Sequence, residues 1–144
     1  MFTNILVAVD GSEEALHAAT VAGRLAVVTD ARVRLITAYG TPGDVLGEPG
    51  YSARLDVAIT EADRHLHACE VAVRDTGAAA PEVDRVAGEP SQAILRAAES
   101  GGHDLIVVGN RGRGRVAGAL LGSVSSTVAS RAAIPVLIVP HRAA

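Results

Sequence analysis

The sequence predicts a single α/β domain in which a parallel β-sheet carries helices on both faces. Three observations lead there. Short apolar runs rich in Val and Ile, at 5–9 (ILVAV), 104–108 (DLIVV) and 135–139 (PVLIV), have the pattern of strands covered on both sides. Between such runs lie segments whose apolar residues recur every three or four positions, the period of an amphipathic helix. The two kinds of segment alternate along the chain, and right-handed crossovers turn that rhythm into a parallel sheet.

The elements follow in order. Run 5–9 is the first strand, ended by Asp10, Gly11 and Ser12. Glu13 and Glu14 come next, suited to the positive end of a helix, and Ala15, Ala18, Ala22 and Leu25 then recur at helical spacing. Residues 32–38 (RVRLITA) form a second strand. Stretch 39–51 holds four Gly and two Pro, so it is a loop, long enough to serve as a binding cover. A long helix over 52–76 places Leu55, Ile59, Ala62, Leu66, Cys69 and Val73 on one stripe, and Gly77 stops it. Residues 82–87 are a weaker strand. Pro90 and Ser91 open a helix carrying Ile94, Leu95 and Ala98, closed by Gly101 and Gly102. Strand 104–108, a helix over 123–131 and a last strand, opening on Pro135 and ending on Val139, complete the series.

Composition narrows the function. The chain has 144 residues, 49% hydrophobic and 20% charged, which suits one compact domain. A net charge of −3 and only three aromatics, Phe2, Tyr39 and Tyr51, supply neither a basic footprint nor a stacking platform for nucleic acid. All 13 basic side chains are Arg. The lack of Lys removes Schiff-base chemistry and the P-loop lysine together. A single Cys, Cys69, allows no internal disulfide and fits a reducing compartment. No signal peptide is read at the start, and no apolar run approaches the ~20 residues that span a bilayer. A cytoplasmic protein is expected, with no membrane partner.

The informative segment is 108–125, reading VGNRGRGRVAGALLGSVS. It starts where a buried strand ends. Gly109 and Gly112 let the backbone turn and a ligand approach amides without an intervening Cβ. After nine more residues come Gly122 and Ser123, at the start of a helix whose first amides lack internal acceptors. A phosphate there would satisfy those amides, with the hydroxyls of Ser123 and Ser125 as further donors. The P-loop is excluded by the missing Lys. The dinucleotide GxGxxG is excluded because Ala117 stands where its last Gly belongs, and because it should follow the first strand.

The spacing Gly-x2-Gly-x9-Gly-Ser resembles the nucleotide-binding branch of the universal stress protein family (UspA-like), as do VAVDGSE, GEPSQAIL, LLGSVSSTV and PVLIVP. The resemblance implies a Rossmann-like sheet of the adenine nucleotide alpha hydrolase type, five strands in the order 3-2-1-4-5. Strands one and four are then neighbours at a switch point, where open α/β sheets bind ligands. Carried over by position, Ala8, Val9 and Ala38 would line an adenine pocket, and Val108 and Gly109 would flank base and ribose. Asp10 would meet a ribose hydroxyl or a metal-bound water, while Gly112, Gly122, Ser123, Val124 and Ser125 would hold phosphate. The implied ligand is ATP, accompanied by Mg²⁺, and the implied assembly is a homodimer through the last strand.

Simpler readings stand beside these. Asp10 also suits a turn or cap. Arg111, Arg113 and Arg115 could neutralise a triphosphate, but three neighbouring Arg also make an ordinary solvated cluster. Glu61, His65 and Cys69 are spaced four apart, yet Cys69 belongs to the apolar stripe, so no zinc site is expected. His65 and His67 point to different sides of their helix, and His17, His103 and His141 have no partner readable from spacing. No catalytic constellation stands out. The reading is a regulatory nucleotide-binding module of the stress response rather than an enzyme, with slow ATP hydrolysis or cyclic AMP binding as alternatives.

Overall fold

The computed structural model describes residues 1–40, 50–110 and 121–140. In chain order the elements are β1 (Asn4–Val9), α1 (Glu13–Thr29), β2 (Arg32–Tyr39), α2 (Tyr51–Asp75), β3 (Glu82–Ala87), α3 (Pro90–Ser100), β4 (Leu105–Gly109), α4 (Ser123–Arg131) and β5 (Val136–Val139). The strands form one sheet of order β3-β2-β1-β4-β5, every neighbouring pair parallel. Strand and helix boundaries fall within a residue of the sequence reading.

Side chains alternate along a strand, so the two faces of β1 feed two cores. Ile5, Val7 and Val9 pack with Ala18, Ala19, Ala22 and Ala26 of α1 and with Leu66, Cys69 and Val73 of α2. Leu6 and Ala8 turn the other way, against Ile94 and Ala98 of α3 and Val128 of α4. Both faces being buried is why β1 reads as an unbroken apolar run. The alanines of α1 keep that helix close to the sheet.

The edge strands differ. β3 is mostly exposed and carries Glu82 and Asp84, each 3.3 Å from the guanidinium of Arg34 on β2. Its weak apolar pattern follows from having one neighbour and partial cover. β5 forms the other edge, with Leu137 exposed.

Polar groups fix the element ends. Asp104 ties β1 to β4, its carboxylate accepting from the Thr3 amide at 2.8 Å, the Asn4 amide at 3.0 Å and the Thr3 hydroxyl. Desolvation alone would raise its pKa, but these hydrogen bonds outweigh it and hold the carboxyl below its usual value. Glu89, one residue before the predicted helix start, caps α3 by accepting from the amides of Ser91 and Gln92, both at 3.0 Å. Hydrogen bonds from Ser91 and Gln92 lower its pKa. Among the described residues no helix is long and apolar enough to cross a membrane.

Candidate functional site

The sheet order places β1 beside β4, and the chain leaves these strands in opposite directions. Their ladder ends at Val7–Val107, although both strands run two residues further. A crevice of about 220 Å³ opens where they part. It is the switch point at the carboxyl ends of the strands, where ligands of open α/β sheets sit.

Ten of the eleven sequence-designated residues border this one space. β1 and the turn after it supply Ala8, Val9 and Asp10; β2 supplies Ala38; β4 supplies Val108 and Gly109. The start of α4 supplies Gly122, Ser123, Val124 and Ser125. Gly112, the remaining one, lies outside the described residues, as do Arg111, Arg113, Arg115 and most of the predicted 39–51 loop. Sequence reasoning missed the opposite wall. Pro90, Ala93 and Ile94 of α3, with Ile36 of β2, make an apolar side to the crevice, and Ser12, which precedes α1, and Ala15 of α1 complete the rim. The period of α3 marks it as buried but does not say over which strands it lies. The GEPS turn was the available signal, because it delivers α3 to the end of the sheet where β4 also finishes.

Asp10 stands at the lip. Its Oδ1 accepts hydrogen bonds from the Ser12 amide, at 2.9 Å, and from the Ser12 hydroxyl. Ser12 Oγ in turn accepts from the Ala15 amide at 3.1 Å and caps α1. Asp10 therefore has a turn role through one oxygen while it borders the crevice. Gly11 takes φ +82°, which bends the chain between the two. On β2, the Thr37 hydroxyl donates to the last carbonyl of β1, Val9 O, at 2.7 Å.

Two of these crevice residues, Gly109 and Ser125, also have roles inside the fold. Gly109 has an ordinary strand conformation, and its missing Cβ serves packing. A Cβ there would lie 2.8 Å from Glu14 Cβ and 3.0 Å from the Glu14 carbonyl carbon, so glycine is what lets α1 close on β4. The Ser125 hydroxyl is not an open phosphate donor. It is buried and donates to Asn110 O at 2.9 Å, with Gly122 O at 3.1 Å. The Gly122 amide donates to the same Asn110 carbonyl at 2.6 Å. These bonds anchor the α4 entry to the end of β4.

The donors that remain are the amides of Ser123, Val124 and Ser125. α4 has no side-chain cap, unlike α1 with Ser12 and α3 with Glu89, and its first internal bond is Ser126 N–H to Gly122 O. Among the described residues nothing accepts from these three amides. They meet the crevice at the positive end of the helix dipole, an arrangement suited to an anion.

Among the described residues, nothing near the crevice competes as a metal or thiol site. Among the described residues no three His, Cys, Asp or Glu side chains converge to hold a metal. Cys69 is buried, and burial together with the charge of Asp10 pushes its thiol up to about 12. His17 and His103, without partners by spacing, each meet a backbone carbonyl: His17 Nδ1 reaches across the fold to Pro140 O at 2.9 Å, and His103 Nδ1 turns back to Ala97 O near the end of α3 at 3.1 Å. His141 lies outside the described residues.

The sequence model of the universal stress protein family matches residues 1–140. The chain belongs to the universal stress protein family. A universal stress protein of Thermus aquaticus is 40% identical over 139 residues, covering 96% of this chain and 99% of that one. The structure of UspA from Lactobacillus plantarum superposes with a TM-score of 0.86 at 27% identity, over 96% of this chain and 97% of that chain. A universal stress protein solved in complex with cAMP gives 0.77 at 30% identity, covering 99% of both chains. The family match and the superpositions thus span the full arc from β1 to β5.

Proposed function

We propose that this universal stress protein is a regulatory module that binds an adenine nucleotide, ATP, in the β1–β4 crevice. The observation that carries the reading is the pairing within one space of an apolar slot and an uncapped helix start. Ala8, Ile36, Ala93, Ile94 and Val108 offer a purine a dry wall, while three α4 amides offer its phosphates donors. The relative in complex with cAMP supports the adenine nucleotide class.

Mg²⁺ fits as a companion of the nucleotide. Asp10 is the only carboxylate among the described lining residues, too few ligands for a resident ion but enough to meet one brought by phosphates. Bound there, the ion would supply charge neutralisation for the phosphate oxygens. A binding role rather than turnover is supported by the absence of Lys from the sequence and by the engagement of Asp10 Oδ1 with Ser12. The exposed edge of β5, with Leu137, supports a homodimer joined through that strand. A cytoplasmic location and a stress-response role complete the proposal.

A second reading, cyclic AMP as the preferred ligand, is favoured by that same complex. Isothermal titration with ATP plus Mg²⁺, and with cyclic AMP in competition, separates the two. The expected result is saturable ATP binding that cyclic AMP displaces poorly, without steady phosphate release. Tighter cyclic AMP binding would reverse the choice, and binding of neither would end both readings.

A further inference from the structure

Asp10 is a wall between two spaces. On one side is the crevice; on the other is a second cavity of about 240 Å³, lined also by Thr37, Tyr39, Glu61 and His65. Gly11, next in the chain, has φ +82° and no side chain, and its place is taken from outside. A Cβ built on Gly11 would lie 2.5 Å from both Cε1 and Nε2 of His65, so the imidazole rests against the glycine itself. α2 thus places a flat ring under the one bend that sets the direction of Asp10.

The ring stands on a firm base. Ala62, Leu66 and Cys69, neighbours of His65 on α2, are buried against the sheet, whereas His65 itself is half-buried. The turn it touches does double work, since Ser12 caps α1 while hydrogen-bonded to Asp10.

We propose that His65 is a positioning residue for the nucleotide site: its ring seats the Asp10–Gly11–Ser12 turn and so holds the Asp10 carboxylate at the lip of the crevice. The proposal rests on the nucleotide-binding reading above and adds a residue that never touches the ligand. His65 acts through Asp10, so its contribution vanishes once the Asp10 carboxylate is gone. A residue that merely supports the fold would lower stability and leave that coupling absent.

The experiment is a double-mutant cycle read by isothermal titration with ATP and Mg²⁺ on the full chain. His65→Ala is expected to weaken binding about tenfold, a size typical of coupled neighbours. Asp10→Ala weakens it as well, and the variant carrying both changes is expected to bind like Asp10→Ala alone. His65→Gln, which retains a planar polar group of similar reach but without the ring, is expected to fall between wild type and His65→Ala. The Gly11 amide resonance should move when the ring is removed, while the melting temperature changes little. Wild-type affinity in His65→Ala, or losses that multiply in the double variant, would overturn the proposal and leave the nucleotide reading standing. A wild-type chain that binds no adenine nucleotide overturns both. Should His65→Ala fail to fold, the same comparison with His65→Gln decides.

Discussion

Gly109→Ala puts a methyl group where the first turn of α1 already lies. Its Cβ would sit 2.8 Å from Glu14 Cβ, 3.0 Å from the Glu14 carbonyl carbon and 3.2 Å from the Ala15 amide nitrogen. Two of those three atoms are backbone, so no rotamer change relieves the contact, and α1 or β4 has to shift. Overpacking of this kind costs about 1–3 kcal/mol. Reduced chain entropy in the unfolded state returns about 0.4–1 kcal/mol of that. A net loss of about 1–2 kcal/mol is expected. With a urea slope of about 2 kcal/mol per molar, the middle of the range for small domains, the midpoint should fall by roughly 0.5–1 M. Gly40→Ala is the control, because a Cβ there meets nothing within 4 Å and the residue has no positive φ. Its midpoint should stay close to wild type. Equal stability of Gly109→Ala and wild type would refute the packing role and return Gly109 to a purely ligand-facing one.

Stability should also depend on pH in a stated direction. Burial holds His103 below its ordinary value of 6.5, so the folded chain keeps it neutral where the unfolded chain takes a proton. Its contribution is complete above pH 6.5 and is lost as the pH falls from there through the folded-state value. Glu89, lowered from 4.5, adds a second loss at more acid pH. Urea midpoints at pH 7 and pH 5 should show the decline, reduced in His103→Gln; a flat profile would contradict it. Glu89→Ala removes the α3 cap and should cost about 1 kcal/mol by the same assay, with no loss contradicting the capping role. Light scattering should return twice the 14.6 kDa chain mass for wild type and the single mass for Leu137→Glu on the β5 edge. A wild-type monomer would remove the dimer proposal.

Much of the fold was legible because its signals are local. An apolar run such as ILVAV needs no partner to be recognised as buried on both faces, and the stripe from Ala62 to Val73 announces one side of a helix. Strand order came through the family resemblance, since no single segment states which strand lies beside it. The crevice was readable at its two chain-local ends, Asp10 after β1 and Gly122–Ser123 at the entry to α4.

Contacts made across the fold were not readable. Gly109 reads as a turn glycine in sequence, and only the approach of Glu14 shows why a Cβ is excluded. Ser125 reads as a phosphate donor until Asn110 O is found to hold its proton. The α3 wall, the His17–Pro140 bond and the ring of His65 against Gly11 join residues 54–123 positions apart or on different layers, beyond what spacing encodes.

The most direct measurement follows backbone amides by NMR as ATP and Mg²⁺ are added. Resonances of Ser123, Val124 and Ser125 should shift together and saturate, whereas those of Thr3 and Asn4, satisfied by the Asp104 carboxylate at the other end of β1, should move little. If the α4 amides stay still while ATP binds elsewhere, or if nothing moves at millimolar nucleotide, the crevice is not the phosphate-receiving site described.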